Sequence, residues 1–196
     1  MAVIINASTS TGLVQSADTS GIIQFQSNGS TKATLNSSGF SYPGAVLQVV
    51  QTIKTDTFSS SATSFTNITG LTATITPASA SNKILVMASV AVALNSGYFV
   101  HIRLARGGSA ILQGDAAGSR LRTQGMIYIY NQDVNSQITW PGCVVDSPAS
   151  TSALTYSVQL TQPNGATYYV NRLTRDDDAS YEPRSASSLI LMEIAA

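Results

Sequence analysis

The chain has 196 residues, of which 43% are hydrophobic and only 10% charged, and its ten basic and ten acidic side chains cancel to a formal net charge of zero. That length holds one sizeable core and a small appendage, and with no basic excess to neutralise phosphates the composition argues against nucleic-acid binding. Ser and Thr make up about a quarter of the positions while the charged fraction sits far below the roughly 25% of ordinary domains; the first glutamate is Glu182, so the Glu/Lys/Arg-rich surface that long helices need is missing.

Residues 1–45 are rich in Ser, Thr, Gly and Asn and poor in large apolar side chains. Within them Gly21–Gln26 and Lys32–Asn36 alternate apolar with polar, and Ser27-Asn28-Gly29-Ser30 separates them. Asn-Gly between alternating runs predicts a β-hairpin, because both central residues of a type I′ turn need positive φ. A lone hairpin is marginal in water, so its apolar face (Ile23, Phe25, Ala33, Leu35) is expected to be covered by other copies of the chain, with a flexible arm that orders only on docking as the alternative. Ser37–Ala45, with Gly39, Pro43 and Gly44, reads as a linker.

From Val46 onward about ten strands are predicted: 46–57, 71–76, 83–94, 97–106, 109–113, 125–131, 137–146, 153–162, 166–174 and 187–194. Leu154, Tyr156, Val158 and Leu160 face one way and Thr155, Ser157, Gln159 and Thr161 the other. Ile84–Leu94 is apolar on both faces, as in a strand buried on both sides. Asn95-Ser96-Gly97, Arg106-Gly107-Gly108 and Pro163-Asn164-Gly165 supply turns, and no convincing helix is found. The fold class is therefore all-β: an N-terminal hairpin or stem segment (1–45) followed by a jelly-roll-type antiparallel β-sandwich (46–196).

An even number of strands running up and down returns the C-terminus to the end where Val46 enters. The far-end loops are then 58–70, 95–96, 114–124, 147–152 and 175–186. In so uncharged a chain they gather Asp115, Arg120, Arg122, Arg175, Asp176, Asp177, Asp178, Glu182 and Arg184, which points to a partner there. Arg120, Arg122, Arg175, Asp176, Asp177, Asp178, Tyr181, Glu182 and Arg184 are the candidate receptor-binding residues.

No catalytic residue is found. The only histidine, His101, excludes a multi-histidine metal site within one chain and reads as a satisfied strand residue, with a site shared between chains as the alternative. The only cysteine, Cys143, excludes an intrachain disulfide and reads as a buried apolar thiol. Asp176-Asp177-Asp178 with Glu182 offers oxygen ligands for calcium, but the spacing is not that of a calcium loop, and flanking Arg175 and Arg184 favour a salt-bridged turn. Neither a metal nor a cofactor is expected. No basic region precedes an apolar run, so no signal peptide is read; no stretch approaches 18 apolar residues, so membrane insertion is not expected.

Two groups of segments carry a resemblance. Ala17–Gly29 (ADTSGIIQFQSNG) resembles N-terminal segments of tail and fibre proteins of marine and freshwater bacteriophages, including cyanophages, and Ser41–Gln51 (SYPGAVLQVVQ) resembles the joint that follows them. Ile68–Pro77, Ser81–Val86, Tyr181–Arg184 and Leu189–Ile194 are similar to the C-terminal domain that follows in such proteins. The resemblance implies a homotrimeric structural component of the virion, with a jelly-roll tip like the C1q/TNF head domains. It also implies attachment to other virion proteins through residues 1–45, and a tip that meets a host-surface glycan or protein. A protein of extracellular composition without an export signal fits release by lysis inside such a particle, after assembly in the host cytoplasm. A capsid decoration protein and a carbohydrate-binding module are the competing expectations; the second needs an aromatic platform, for which Tyr128, Tyr130, Trp140, Tyr168 and Tyr169 are available within strands.

Overall fold

The computed structural model describes residues 20–37, 39–94, 98–129 and 136–196, and these contain strands and turns but no helix. Clustering of contacts divides the chain into two compact units, one ending at Ala45 and one spanning Val46–Ala196.

In the first unit, β1 (Ile23–Ser27), β2 (Ser30–Asn36) and β3 (Gly39–Ser41) form an antiparallel meander. The turn between β1 and β2 is the two-residue Asn28-Gly29, with φ of 50° and 73°, as a type I′ hairpin requires. The register sets Ile23 opposite Leu35, Leu35 opposite Phe40 and Phe25 opposite Ala33. These side chains share one face, where Phe25 meets Phe40 edge-on at 5.7 Å and Phe40 meets Tyr42 at 6.0 Å. The segment read as a linker thus supplies the third strand, because Phe40 and Tyr42 continue the apolar face of the hairpin.

The second unit contains β4 (Val46–Lys54), β5 (Phe58–Ser60), β6 (Thr66–Ile75), β7 (Lys83–Leu94), β8 (Phe99–Arg106), β9 (Ser109–Ala110), β10 (Gly125–Tyr128), β11 (Ile138–Asp146), β12 (Leu154–Thr161), β13 (Tyr168–Val170) and β14 (Ser187–Ile194). One sheet runs β4-β14-β7-β11, with β13 and β5 continuing the lines of β14 and β4; the other runs β6-β12-β8-β10, with the short β9 on β8. If the eight main strands are numbered by their order in the chain, the sheets read 1-8-3-6 and 2-7-4-5. That is a jelly roll, two antiparallel sheets wound by paired Greek keys. The core lies between them: Leu71 and Ile75 of β6, Ile84, Val86 and Val90 of β7, Ile102 and Leu104 of β8, Tyr156 and Leu160 of β12, and Leu189 and Leu191 of β14 are all 2% exposed or less.

One buried carboxylate closes the end where Val46 enters. Glu193 accepts hydrogen bonds from Gln48 Nε2 (2.5 Å), Asn82 Nδ2 (2.6 Å) and the amide of Ala78 (2.7 Å). Burial pushes its pKa up, but these donors outweigh burial and hold it below the ordinary carboxylate value. Ile194 pairs with Val46, so the C-terminus does return to that end, since the eight main strands are also even in number.

Other expectations need correction. Residues 147–152 follow Asp146, which pairs with Ile84 at the start of β7, and Lys83 Nζ donates to Ser147 Oγ; this loop lies at the Val46 end and not at the far one. The segment 58–70 holds β5 and the start of β6, while 109–113 shrinks to two paired residues. Ile84–Leu94 is buried on both faces only in its second half; Leu85 and Met87 are half-buried on the outer face and Ser89 is exposed. The turn at Asn95-Ser96-Gly97 lies outside the described residues.

Candidate functional site

The candidate receptor residues fall into two groups carried by different sheets. Residues 171–186 join β13 to β14 in the first sheet. Their arginines are taken up by their own carboxylates: Arg175 Nε donates to Asp177 Oδ2 at 2.5 Å and lies 3.1 Å from Glu182 Oε1, while Arg184 and Arg172 reach Asp176 at 2.8 and 3.2 Å. The amide of Asp177 donates to Glu182 Oε2 at 2.6 Å, and the Glu182 side chain is almost fully buried. Arg172 also lies over the Tyr169 ring, 4.2 Å from its centroid. The salt-bridged turn is what forms, and an anion would have to compete with the loop's own acids. Asp178 and Tyr181 remain exposed.

Arg120 and Arg122 sit on the loop between β9 and β10, in the second sheet. It is fastened to the flank of β8 by Ile111 N to Leu104 O (3.1 Å) and Thr123 Oγ1 to Ile102 O (2.9 Å). Arg122 Nε donates to Gly114 O at 2.7 Å. Among the described residues, no hydrogen bond or ion pair joins this loop to 171–186.

Sequence reasoning missed one exposed apolar surface, the outer face of the first sheet. The register lines up Val49, Met192, Leu85 and Val145 in one row across β4, β14, β7 and β11. Gln51, Ile190, Met87 and Cys143 form the next, with Ile53, Leu47 and Ile194 nearby. Val49, Ile53 and Val145 are 56%, 59% and 59% exposed. Four strands about 4.8 Å apart and roughly eight residues long make a face on the order of 500 Å². That lies within the range of the largest patch on a typical monomer and above half of the ~800 Å² that each partner contributes to a standard interface. The signal was present: Val46–Ile53 and Leu189–Ile194 are apolar at nearly every other position of both faces.

The remaining candidates separate cleanly. Tyr168 is fully buried, and Trp140 packs half-buried against the core, so neither belongs to a surface platform; Tyr130 lies outside the described residues. The Trp140 indole lies against the backbone of Gly142 and Gly125, where an added Cβ would sit 2.4 and 2.7 Å from it. Cys143 is exposed, not buried, because Trp140 and Val144 turn inward on the same strand and alternation turns Cys143 out. His101 is not satisfied: its Nδ1 is buried with no hydrogen-bond partner. Among the described residues, no three His, Cys, Asp or Glu side chains group as a metal site would require. Comparison with known proteins returns no matching family and no matching curated sequence.

Proposed function

We propose that this chain is a structural protein of a bacteriophage virion, a homotrimeric fibre subunit attached through residues 1–45 and displaying the jelly roll of 46–196 toward the host surface. One observation carries the self-association: each unit, taken by itself, exposes an apolar sheet face among the described residues. In the first unit it holds Phe25, Leu35 and Phe40; in the second it is the outer face of the first sheet. Exposed apolar patches of this size often mark interaction surfaces, and a chain with so few charges has little electrostatic defence against assembly. The resemblance of Ala17–Gly29 and Ser41–Gln51 to phage fibre segments supports the virion setting. The work of such a protein is mechanical and adhesive, not chemical, so purified protein releases no reducing ends from host polysaccharide.

Multi-angle light scattering at micromolar concentration tests the assembly. A mass three times that of the 20.5 kDa chain is expected, and a monomer mass would overturn the reading. Imaging of whole particles with a label on the chain tests the setting, and a label on the capsid lattice would favour the decoration protein.

A further inference from the structure

The outer face of the second sheet carries a different chemistry. Phe99, His101 and Arg103 alternate outward along β8, while Val100, Ile102 and Leu104 between them are fully buried in the core. On β10, Met126 is paired with His101 and Tyr128 with Phe99; on β12, Gln159 is paired with Arg103.

Arg103 is held in place by two contacts. Its Cζ lies over the Phe65 ring, 3.8 Å from the centroid, and its Nε donates to Gln159 Oε1 at 2.8 Å. Gln159 is itself fixed, since its Nε2 donates to Asn67 Oδ1 at 3.0 Å. Lys54, Arg106, Arg172, Arg175 and Arg184 all have carboxylates within 4 Å. Among the described residues Arg103 has none, and it differs from the other unpaired arginines, Arg120 and Arg122, in being half-buried rather than exposed. Nothing in the ladder requires a cation at this position. With Nε engaged by Gln159, what remains of the guanidinium to meet a ligand is its pair of terminal nitrogens, a fork that matches a carboxylate. Two residues along the strand, the His101 Nδ1 has no partner, and the imidazole stands edge-on to Phe99 at 5.2 Å. Beyond it Tyr128 is 44% exposed, a ring on which the C–H face of a pyranose can stack. Four residues of β8 separate Arg103 from the Phe99–Tyr128 pair, about 13 Å, the reach of a short oligosaccharide rather than of one sugar.

We propose that the face formed by Phe65, Arg103, Gln159, His101, Phe99 and Tyr128 binds an acidic oligosaccharide, with Arg103 taking the carboxylate of a uronic or sialic acid and Tyr128 stacking on a neighbouring sugar ring. A single fixed cation matches the single charge of a carboxylate; a phosphate dianion calls for more than one. The site is separate from the 171–186 loop and does not depend on oligomeric state or on a virion setting.

Isothermal titration of the full-length protein with trigalacturonate, trimannuronate and sialyllactose tests it, with the methyl esters as uncharged controls of the same stereochemistry. At least one acid binds, and its ester binds at least tenfold more weakly. Arg103→Gln lowers affinity at least tenfold, and Arg103→Lys does not restore it, because an ammonium lacks the fork. Phe65→Leu, which keeps the packing volume but removes the ring, weakens binding, as does Tyr128→Ala. Thermal melts establish that the variants are folded, and Tyr128→Ala, at an exposed position, serves if Arg103→Gln fails to fold. Absence of binding by every acid, equal binding of acid and ester, a folded Arg103→Gln with unchanged affinity, or preference for mannose 6-phosphate or a free peptide carboxylate would each overturn the proposal.

Discussion

The two sheets of the jelly roll share one core and present opposite chemistry outward. The first sheet turns out Leu47, Val49, Ile53, Leu85, Met87, Val145, Ile190 and Met192, which make few polar contacts because they have few polar atoms. The second turns out Thr155, Ser157, Gln159 and Thr161 on β12. Three of these, Ser157, Gln159 and Thr161, are nonetheless buried, because Asn67 accepts from Ser157 and Gln159 and the carbonyl of Ala62 accepts from Thr161. On β12 the polar outer layer is finished by neighbours in the chain, whereas the outer face of the first sheet exposes apolar side chains among the described residues. Burial alone does not separate a core from an interface; what separates them here is whether the outer face finds its partners in its own chain.

The largest effect expected from this contrast is on assembly. Val49→Asp places a charge on the open apolar face and should convert the assembly to monomers, seen as a threefold fall in mass by light scattering. Thr74→Asp, at an exposed position of the second sheet beside Thr155, should leave the mass unchanged. Monomers from both variants, or from neither, would remove the distinction.

Next comes the buried charge inside the first sheet. Glu193→Ala leaves Gln48, Asn82 and the Ala78 amide without their acceptor, a loss of about 3 kcal/mol, measurable by urea unfolding. The folded pKa of Glu193 lies below its unfolded value, which is about 4.3. Its contribution is therefore complete above that value and is lost as pH falls through the lowered folded pKa. Wild type should lose more stability than Glu193→Gln as pH falls below the unfolded value and through the lowered folded pKa. Parallel curves would show that this carboxylate is not the titrating group.

A smaller effect falls where the sheets meet at their β10/β11 edge. Gly142→Ala drives a methyl into the Trp140 ring and should cost about 1–3 kcal/mol, with a shift in tryptophan fluorescence. At the opposite end of β11, Asp146 pairs with Arg106 and accepts from Tyr156 Oη at 2.7 Å. Tyr156→Phe removes the hydroxyl and should cost about 1 kcal/mol by thermal melting. Replacing Arg175–Glu182 by a Gly/Ser linker should change stability least, since the pairs lost, apart from that of the buried Glu182, are surface ion pairs worth about 0–1 kcal/mol each. It should weaken particle adsorption if that loop meets the host.

Much of the architecture was legible in the sequence because it rests on local signals. Asn28-Gly29 marked its turn, the Leu154–Leu160 alternation marked its strand, and both ends of Lys83–Leu94 and Ser187–Ile194 were found. The misses have physical causes. β6 begins at Thr66 rather than Leu71 because its pairing with β12 is interrupted by a bulge between Ser157 and Gln159, which breaks the period-2 pattern. Gly39–Ser41 pairs only because Phe40 continues a neighbour's apolar face, a tertiary reason that no local pattern states. The loop acids and arginines were legible as a cluster; that they neutralise one another was not, since this depends on which side chains the turn brings within reach. Phe65 under Arg103 was invisible for the same reason: 38 residues separate the pair in the chain.

The pairing of Ile194 with Val46, closed over by Glu193, has a practical side. Anything genetically appended to Ala196 emerges beside the point where the second unit begins, with the same strand pair at its root. Cargo fused there sits beside that entry point, whereas 175–182 belongs to the excursion that leaves the sheet between β13 and β14, beside Ala91 of β7, and offers a reporter a second, separate place. For the same reason the domain is a natural substrate for rewiring: a short bridge from Ala196 to Val46 would let the chain be opened at 175–182 and still wind the same two sheets.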